Sequence, residues 1–273
     1  MMIAELNIDG RKYEFDASAP IDISIPLRFN GPQPNAYGVA PATSSPCEAG
    51  ALVGDTRRGG SCNFEQHTLI PHCNGTHTEC VGHITNERIS VRECLRDVFI
   101  PAMLVTIEPE AVSGVEDGYS MAIADGDQLI TRRQLENALE GARTDICAAL
   151  VIRTMPNDES KTTRRYVDEI PPYFTNDAMQ FLVERGVRHL LVDMPSVDRL
   201  YDLGRLSNHR IFWNIEQGSF ETSETMRRRA TITELIYVSD DAVDGTYLLN
   251  LQIAPFASDA SPSRPLLFRI LEN

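Results

Sequence analysis

Residues 173–198 read YFTNDAMQFLVERGVRHLLVDMPSVD and contain a helix, a strand and the turn that follows them. Thr175 caps the helix, Ala178, Phe181 and Leu182 recur along one of its faces, and Gly186 ends it. The next run, 189–192, is apolar after its first residue, as expected of a strand covered on both faces. Comparable runs occur at 103–107, 149–152, 247–253 and 266–271. Thr131-Arg-Arg-Gln134 is a capping box, opening a further helix that Gly141 would end. Covered strands alternating with helices predict an α/β fold, a single mixed-sheet domain with flanking helices.

The amino-terminal part is patterned differently. Residues 3–8 and 12–15 alternate apolar with polar, and Asp9-Gly10 between them reads as a two-residue hairpin turn. A short strand is expected at 21–27. From 30 to 66 the chain is rich in Gly, Pro, Ser and Ala with little periodicity, which predicts a long loop covering an active site.

The chain has 273 residues and a formal net charge of −14. An acidic balance argues against nucleic acid as a partner, since phosphate neutralisation needs a basic face, and against an anionic membrane. The opening MMIAELNIDGRKYEFD has no apolar core, and no apolar run approaches the roughly 18 residues of a membrane span. Six cysteines (Cys47, Cys62, Cys73, Cys80, Cys94, Cys147) are too few for a disulfide scaffold and read as reduced thiols of a cytoplasmic protein.

Four of the six histidines fall between 66 and 84. The core of that segment is His72-Cys-Asn-Gly-Thr-His77-Thr-Glu79-Cys-Val-Gly-His83. In an extended chain residues two apart share a face, so His77 and Glu79 converge on one point. Gly75 supplies the backbone freedom that would let His72 join them. Two imidazoles and a carboxylate with open positions suit a catalytic Zn²⁺, Mn²⁺ or Fe²⁺. Such an ion lowers the pKa of its water to about 7, and a free histidine can move the proton. Surface-loop histidines are the plainer alternative, disfavoured because the clustering is improbable in a chain with so few.

This segment resembles the signature of the metal-dependent cyclase/kynurenine formamidase family, whose pattern runs His-X-Gly-Thr-His-X-Asp-X-Pro-X-His. IDISIPL at 21–27, ALVIRT at 149–154, the 173–198 block, ITELIYV at 232–238 and LQIAPFASDASPSR at 251–264 resemble further family blocks in the right order. The resemblance implies the swivelling β/β/α fold of that family and a homo-oligomer, a dimer or tetramer. It implies His72, His77 and Glu79 as metal ligands and His83 as the acid/base histidine. His209 and Glu234 would complete a second metal position. The sequence departs from the pattern at named places: His72 lies five residues before His77 instead of four, Glu79 stands for Asp, and Val81 for Pro. The distance from His209 to Glu234 also marks 217–230, like 30–66, as an insertion.

Other residues were weighed beside these. Cys73 and Cys80 flank the inward-facing residues and read as small buried fillers. Glu216 rivals Glu234 but lies in the expected insertion. His189 reads as a packed histidine, and Arg227-Arg228-Arg229 as a solvated or salt-bridging run. Ser196 and Asp198 either shape the site or stabilise their loop. Arg264 is a candidate for a substrate carboxylate, against a structural ion pair, and Trp213 for an aromatic pocket wall, against a core role. The expected activity is hydrolysis of a small amide by metal-activated water, with zinc preferred over manganese or iron. A cyclic amide or lactone hydrolase with the same site, and a non-catalytic metal- or small-molecule-binding relative, are the alternatives.

Overall fold

A computed structural model describes residues 1–142, 148–167 and 170–271. The apolar runs become strands, and ten of the strands frame the site: β1 (Ile3–Ile8), β2 (Arg11–Asp16), β3 (Ile21–Asp22), β4 (His77–Cys80), β5 (Phe99–Ile107), β6 (Ala149–Thr154), β7 (His189–Val192), β8 (Thr231–Glu234), β9 (Gly245–Ile253) and β10 (Ala260–Arg269). Four helices matter here: α1 (Pro71–Asn74), α2 (Arg132–Ala138), α3 (Asn176–Glu184) and α4 (Ser207–Trp213).

Strands β5, β6, β7 and β8 pair in parallel. Antiparallel pairing then runs from β8 to β4, β4 to β10, β10 to β9 and β9 back to β5. Seven strands thus close a mixed ring, with β3 added on the outside of the series against β10. Alternation along each strand sorts the core into two layers. Ala149, Val151, Leu104, Leu191, Leu249 and Leu267 pack together with one another, whereas their neighbours Leu150, Ile152 and Leu190 meet α2, α3 and α4 through Leu135, Leu182 and Trp213. Burying both faces is what the continuous apolar runs require.

The caps form as read. Thr131 and Gln134 make a reciprocal capping box, and Thr175 accepts the Ala178 N–H. Helix α2 ends at Ala138, short of Gly141, which follows at φ 72°. The hairpin β1–β2 turns at Asp9 and Gly10, φ 51° and 79°, the two left-handed residues a tight turn needs.

Three expectations are corrected. The 21–27 strand shrinks to Ile21–Asp22 with a lone bridge at Ser24, because the Asp22 carboxylate takes the Ser24 N–H (3.0 Å) and hydroxyl (2.6 Å) and bends the chain before Pro26. Segment 30–66 is not patternless: Asn35–Ala36 pairs with Arg165–Tyr166, Thr43–Pro46 with Glu65–Thr68, and Glu48–Ala49 with Leu52–Val53. These ribbons rest on backbone ladders, so they leave no hydrophobic period to read. The run 266–271 is the end of a longer strand that begins at Ala260. Within 217–230, Arg228 pairs with Glu87 and Glu93, and Arg229 with Asp97, which is the salt-bridging form expected. Cys147 lies outside the described residues, whose other five cysteines are free thiols. Among the described residues no helix is long and apolar enough to cross a membrane.

Candidate metal centre

Strand β4 carries His77 and Glu79 on one face, and the ladder with β8 sets Glu234 directly opposite His77. The Thr78 and Thr233 hydroxyls, 2.8 Å apart, fix that register. His77 Nε2 then lies 3.5 Å from Glu234 Oε2, with both side chains buried. Glu234 is held in turn by the Val197 N–H on its Oε1 (3.1 Å).

The extra residue between His72 and His77 is absorbed by a helical turn. Pro71 begins α1, and Asn74 Oδ1 accepts the Ile70 N–H at 2.7 Å. The turn brings His72 Nε2 to 3.4 Å from Glu79 Oε2. Cys73 packs with Ala36, Leu200 and Leu235 and belongs to none of the groupings of close ligand atoms; burial, then the Glu234 charge, push its thiol up to about 11. Cys80 is likewise buried filler.

The strand stops at Cys80, and a 3₁₀ turn over Val81–His83 delivers His83, its Nε2 3.8 Å from Glu79 Oε2. Gly82 permits the turn: a Cβ there would sit 2.0 Å from the Ile89 carbonyl oxygen. From the other side, α4 presents His209. Its Nε2 is 3.0 Å from Glu79 Oε1 and its Nδ1 2.6 Å from Asp198 Oδ2. Asp198 also accepts the N–H groups of Asn208 (2.8 Å) and His209 (3.1 Å) and the Tyr119 hydroxyl (2.9 Å).

All six expected residues, His72, His77, Glu79, His83, His209 and Glu234, therefore meet in one cluster. The other two do not join it. Trp213 is wholly buried, donates its indole N–H to Ala230 O (3.0 Å), and backs the His209 ring at 5.5 Å, so it is a core residue. Arg264 pairs with Asp22 at 2.7 Å and lines a cleft of about 420 Å³ that contains none of the six. Glu216 is exposed, and His189 is packed against Thr231 and Asp97 as read.

One participant has no spacing signal. Asp259, the residue before β10, places Oδ2 3.1 Å from His72 Nε2 and 3.4 Å from His83 Nδ1. Asp198 was legible as a site-shaping alternative, and its role is to hold His209.

The electrostatics suit a cation. Burial alone would raise Glu79, but His83, His209 and His72 hold it well below the usual carboxylate range. Burial would lower His209, and Asp198 and Glu79 outweigh it and raise it. His72 follows the same pattern through Asp259 and Glu79. Within the cluster, His77 Nε2 and Glu79 Oε2 make no hydrogen bond, each standing instead at ion-pair distance from a neighbour, Glu234 at 3.5 Å and His72 at 3.4 Å. The Gly75 carbonyl, 3.1 Å from His77 Nδ1, takes the ring proton on that side and leaves Nε2 a lone pair. Three groupings of mutually close ligand atoms result: His77–Glu79–Glu234, Glu79–His83–His209 and His72–His83–Asp259. Imidazole nitrogens and carboxylate oxygens arranged so fit a divalent metal ion.

The chain is similar to several known proteins. Residues 21–199 match the model of a family described as putative cyclase. The kynurenine formamidase of Bacillus mycoides is 28% identical over 211 residues, covering 76% of this chain and 81% of that protein. A kynurenine formamidase of Bacillus cereus is 27% identical over 255 residues, covering 90% and 96%. Isatin hydrolase A from Labrenzia aggregata shares the fold with a TM-score of 0.61 at 15% identity, over 93% of this chain and 94% of that one. A potential metal-dependent hydrolase with cyclase activity superposes with a TM-score of 0.55 at 16% identity, over 92% and 98%.

Proposed function

The chain belongs to the cyclase family, and from that premise we propose that it is a metal-dependent hydrolase cleaving the C–N bond of a small amide of the aryl formamide type. The kynurenine formamidases among its relatives support the amide. The observation that carries the reading is the clustering of imidazole and carboxylate ligand atoms in three overlapping groups, His77–Glu79–Glu234, Glu79–His83–His209 and His72–His83–Asp259.

In this reading His72, His77, Glu79, His209 and Glu234 hold a divalent transition metal, zinc in preference to manganese or iron. When bound, the ion supplies Lewis-acid polarisation of a carbonyl and acidifies water. The chain's own residues do the rest. Gly75 O keeps the His77 proton on Nδ1, and Asp198 keeps the His209 ring turned toward Glu79. Trp213 and Phe212 seal that side of the cluster against water. His83, on the accessible side, carries the proton from the nucleophile to the departing nitrogen. A cyclic amide or lactone is the second reading, favoured by the isatin hydrolases among the similar structures.

The proposal extends to the assembly and its setting. It includes a homo-oligomer, a dimer or tetramer, and one domain into which 30–66 and 217–230 are inserted. It also includes the cytoplasm, where the free thiols stay reduced.

Elemental analysis of purified protein, followed by assay against formanilide and a lactone panel with and without chelator, tests the reading. Bound transition metal and chelator-sensitive release of aniline are expected. Protein that binds no metal and turns over none of the panel would instead be a non-catalytic relative.

A further inference from the structure

Glu79 directs Oε1 to His209 Nε2 at 3.0 Å, while Oε2 lies 3.4 Å from His72 Nε2 and 3.8 Å from His83 Nε2. The far nitrogen of His209 is held by Asp198 at 2.6 Å, and the far nitrogen of His83 meets Asp259 Oδ2 at 3.4 Å. We propose that Asp259 is a positioning residue, accepting the His83 Nδ1 proton and thereby reserving His83 Nε2 for proton transfer in amide cleavage. The proposal rests on the hydrolase reading above.

Three features of the fold support it. Asp259 is tied to the strand that carries Glu79, because its carbonyl accepts the Cys80 N–H at 3.0 Å and the following Ala260 is in register with Glu79. Its other carboxylate oxygen accepts the Ser258 hydroxyl at 3.0 Å, which leaves Oδ2 facing the histidines. The His83 ring also lies against His72, with centroids 4.5 Å apart and planes 27° apart, which restricts its rotation. A carboxylate on Nδ1 fixes the neutral ring as the Nδ1–H tautomer and makes Nε2 the basic atom. In one turnover Nε2 takes a proton from the attacking water and returns it to the departing nitrogen as the C–N bond breaks, so the ring ends as it began.

Accessibility separates the two pairs. The His83 and Asp259 side chains are 27% and 22% exposed, against 3% and 1% for His209 and Asp198. The open pair is the one a substrate can reach. His72 Nε2 lies closer to the same Asp259 oxygen, at 3.1 Å, and this defines the rival: Asp259 as a ligand of an outer cation with His72 and His83.

Asp259→Ala and Asp259→Glu decide between them, with folding checked by thermal melting. Nitrogen-15 spectra of the histidine rings in zinc-loaded and metal-free wild-type protein should show His83 protonated on Nδ1, and Asp259→Ala should release it to the other tautomer. The same variant should lose about 10- to 100-fold in kcat on formanilide, with KM and bound metal near wild type, and Asp259→Glu should recover part of the loss. Loss of an equivalent of zinc in Asp259→Ala overturns the proposal in favour of the ligand role. So does an unchanged tautomer with unchanged kcat. If the wild type cleaves no amide yet its His83 tautomer follows Asp259, the hydrolase reading fails while the positioning stands.

Discussion

The two sides of Glu79 use the same chemical unit, an aspartate holding a histidine, in opposite surroundings. On the α4 side Asp198 and His209 are sealed beneath Trp213, and Asp198 also accepts two backbone N–H groups and a tyrosine hydroxyl. On the β10 side Asp259 and His83 stand partly in solvent, and His83 arrives on a tight turn. A buried charge must be fully partnered to be tolerated, so the closed pair is held rigidly. A partly exposed pair is solvated at little cost, so its ring stays open to an incoming molecule.

This contrast is open to direct attack. Asp198→Ala should be the most damaging change, because it strands His209 and two helix N–H groups in the interior. A loss of about 3–5 kcal/mol in chemical denaturation is expected, with weakened metal binding, whereas Asp259→Ala should cost no more than about 1 kcal/mol. Equal losses would erase the distinction. His83→Ala should keep bound metal and lose turnover by about 10²- to 10⁴-fold, measured side by side on one preparation; a fully active variant removes His83 from the chemistry. Gly82→Ala comes next. The new methyl would run into the Ile89 carbonyl, displacing the turn that carries His83, at about 1–3 kcal/mol of stability and with metal retained.

A third aspartate–histidine pair, Asp97 with His189, provides a reference outside the metal cluster. His189, ahead of Arg188 and Arg229 and against partial burial, holds Asp97 down to about 2. A carboxylate depressed in the folded state stabilises fully above its unfolded value near 3.9. That contribution disappears as pH falls through about 2, so Asp97→Asn should flatten the acid limb of a stability–pH curve below about pH 4. A limb that keeps its slope would show that other carboxylates set it.

How much of this was legible follows from what each contact depends on. Strands covered on both faces announce themselves by composition, and the capping residues Thr131 and Thr175 by local chemistry, so the α/β fold could be read directly. His77 and Glu79 obey the two-residue period of a strand and were equally readable. His72 was readable as a residue but not as a geometry, since the helical turn that restores its reach depends on Pro71 and on Asn74 capping Ile70 N–H. Asp259 lies 176 residues from His83 and joins it only because β10 pairs with β4. Trp213 misled for a related reason: standing near His209 says nothing about which side of the ring is open. The ribbons of 30–66 were invisible because ladder hydrogen bonds carry no side-chain code.

The closed ring has one more consequence. Strand β4 is hydrogen-bonded on both sides, so His77 is registered at once against Glu234 of β8 and Pro262 of β10. A single-residue shift in a strand inverts its faces, and here it would have to be accepted by both neighbours together. The chain should accordingly tolerate lengthening within 30–66 or 217–230 and reject it between His77 and Glu79. The spacing of the proposed ligands is thus protected by closure of the sheet as well as by the side chains themselves.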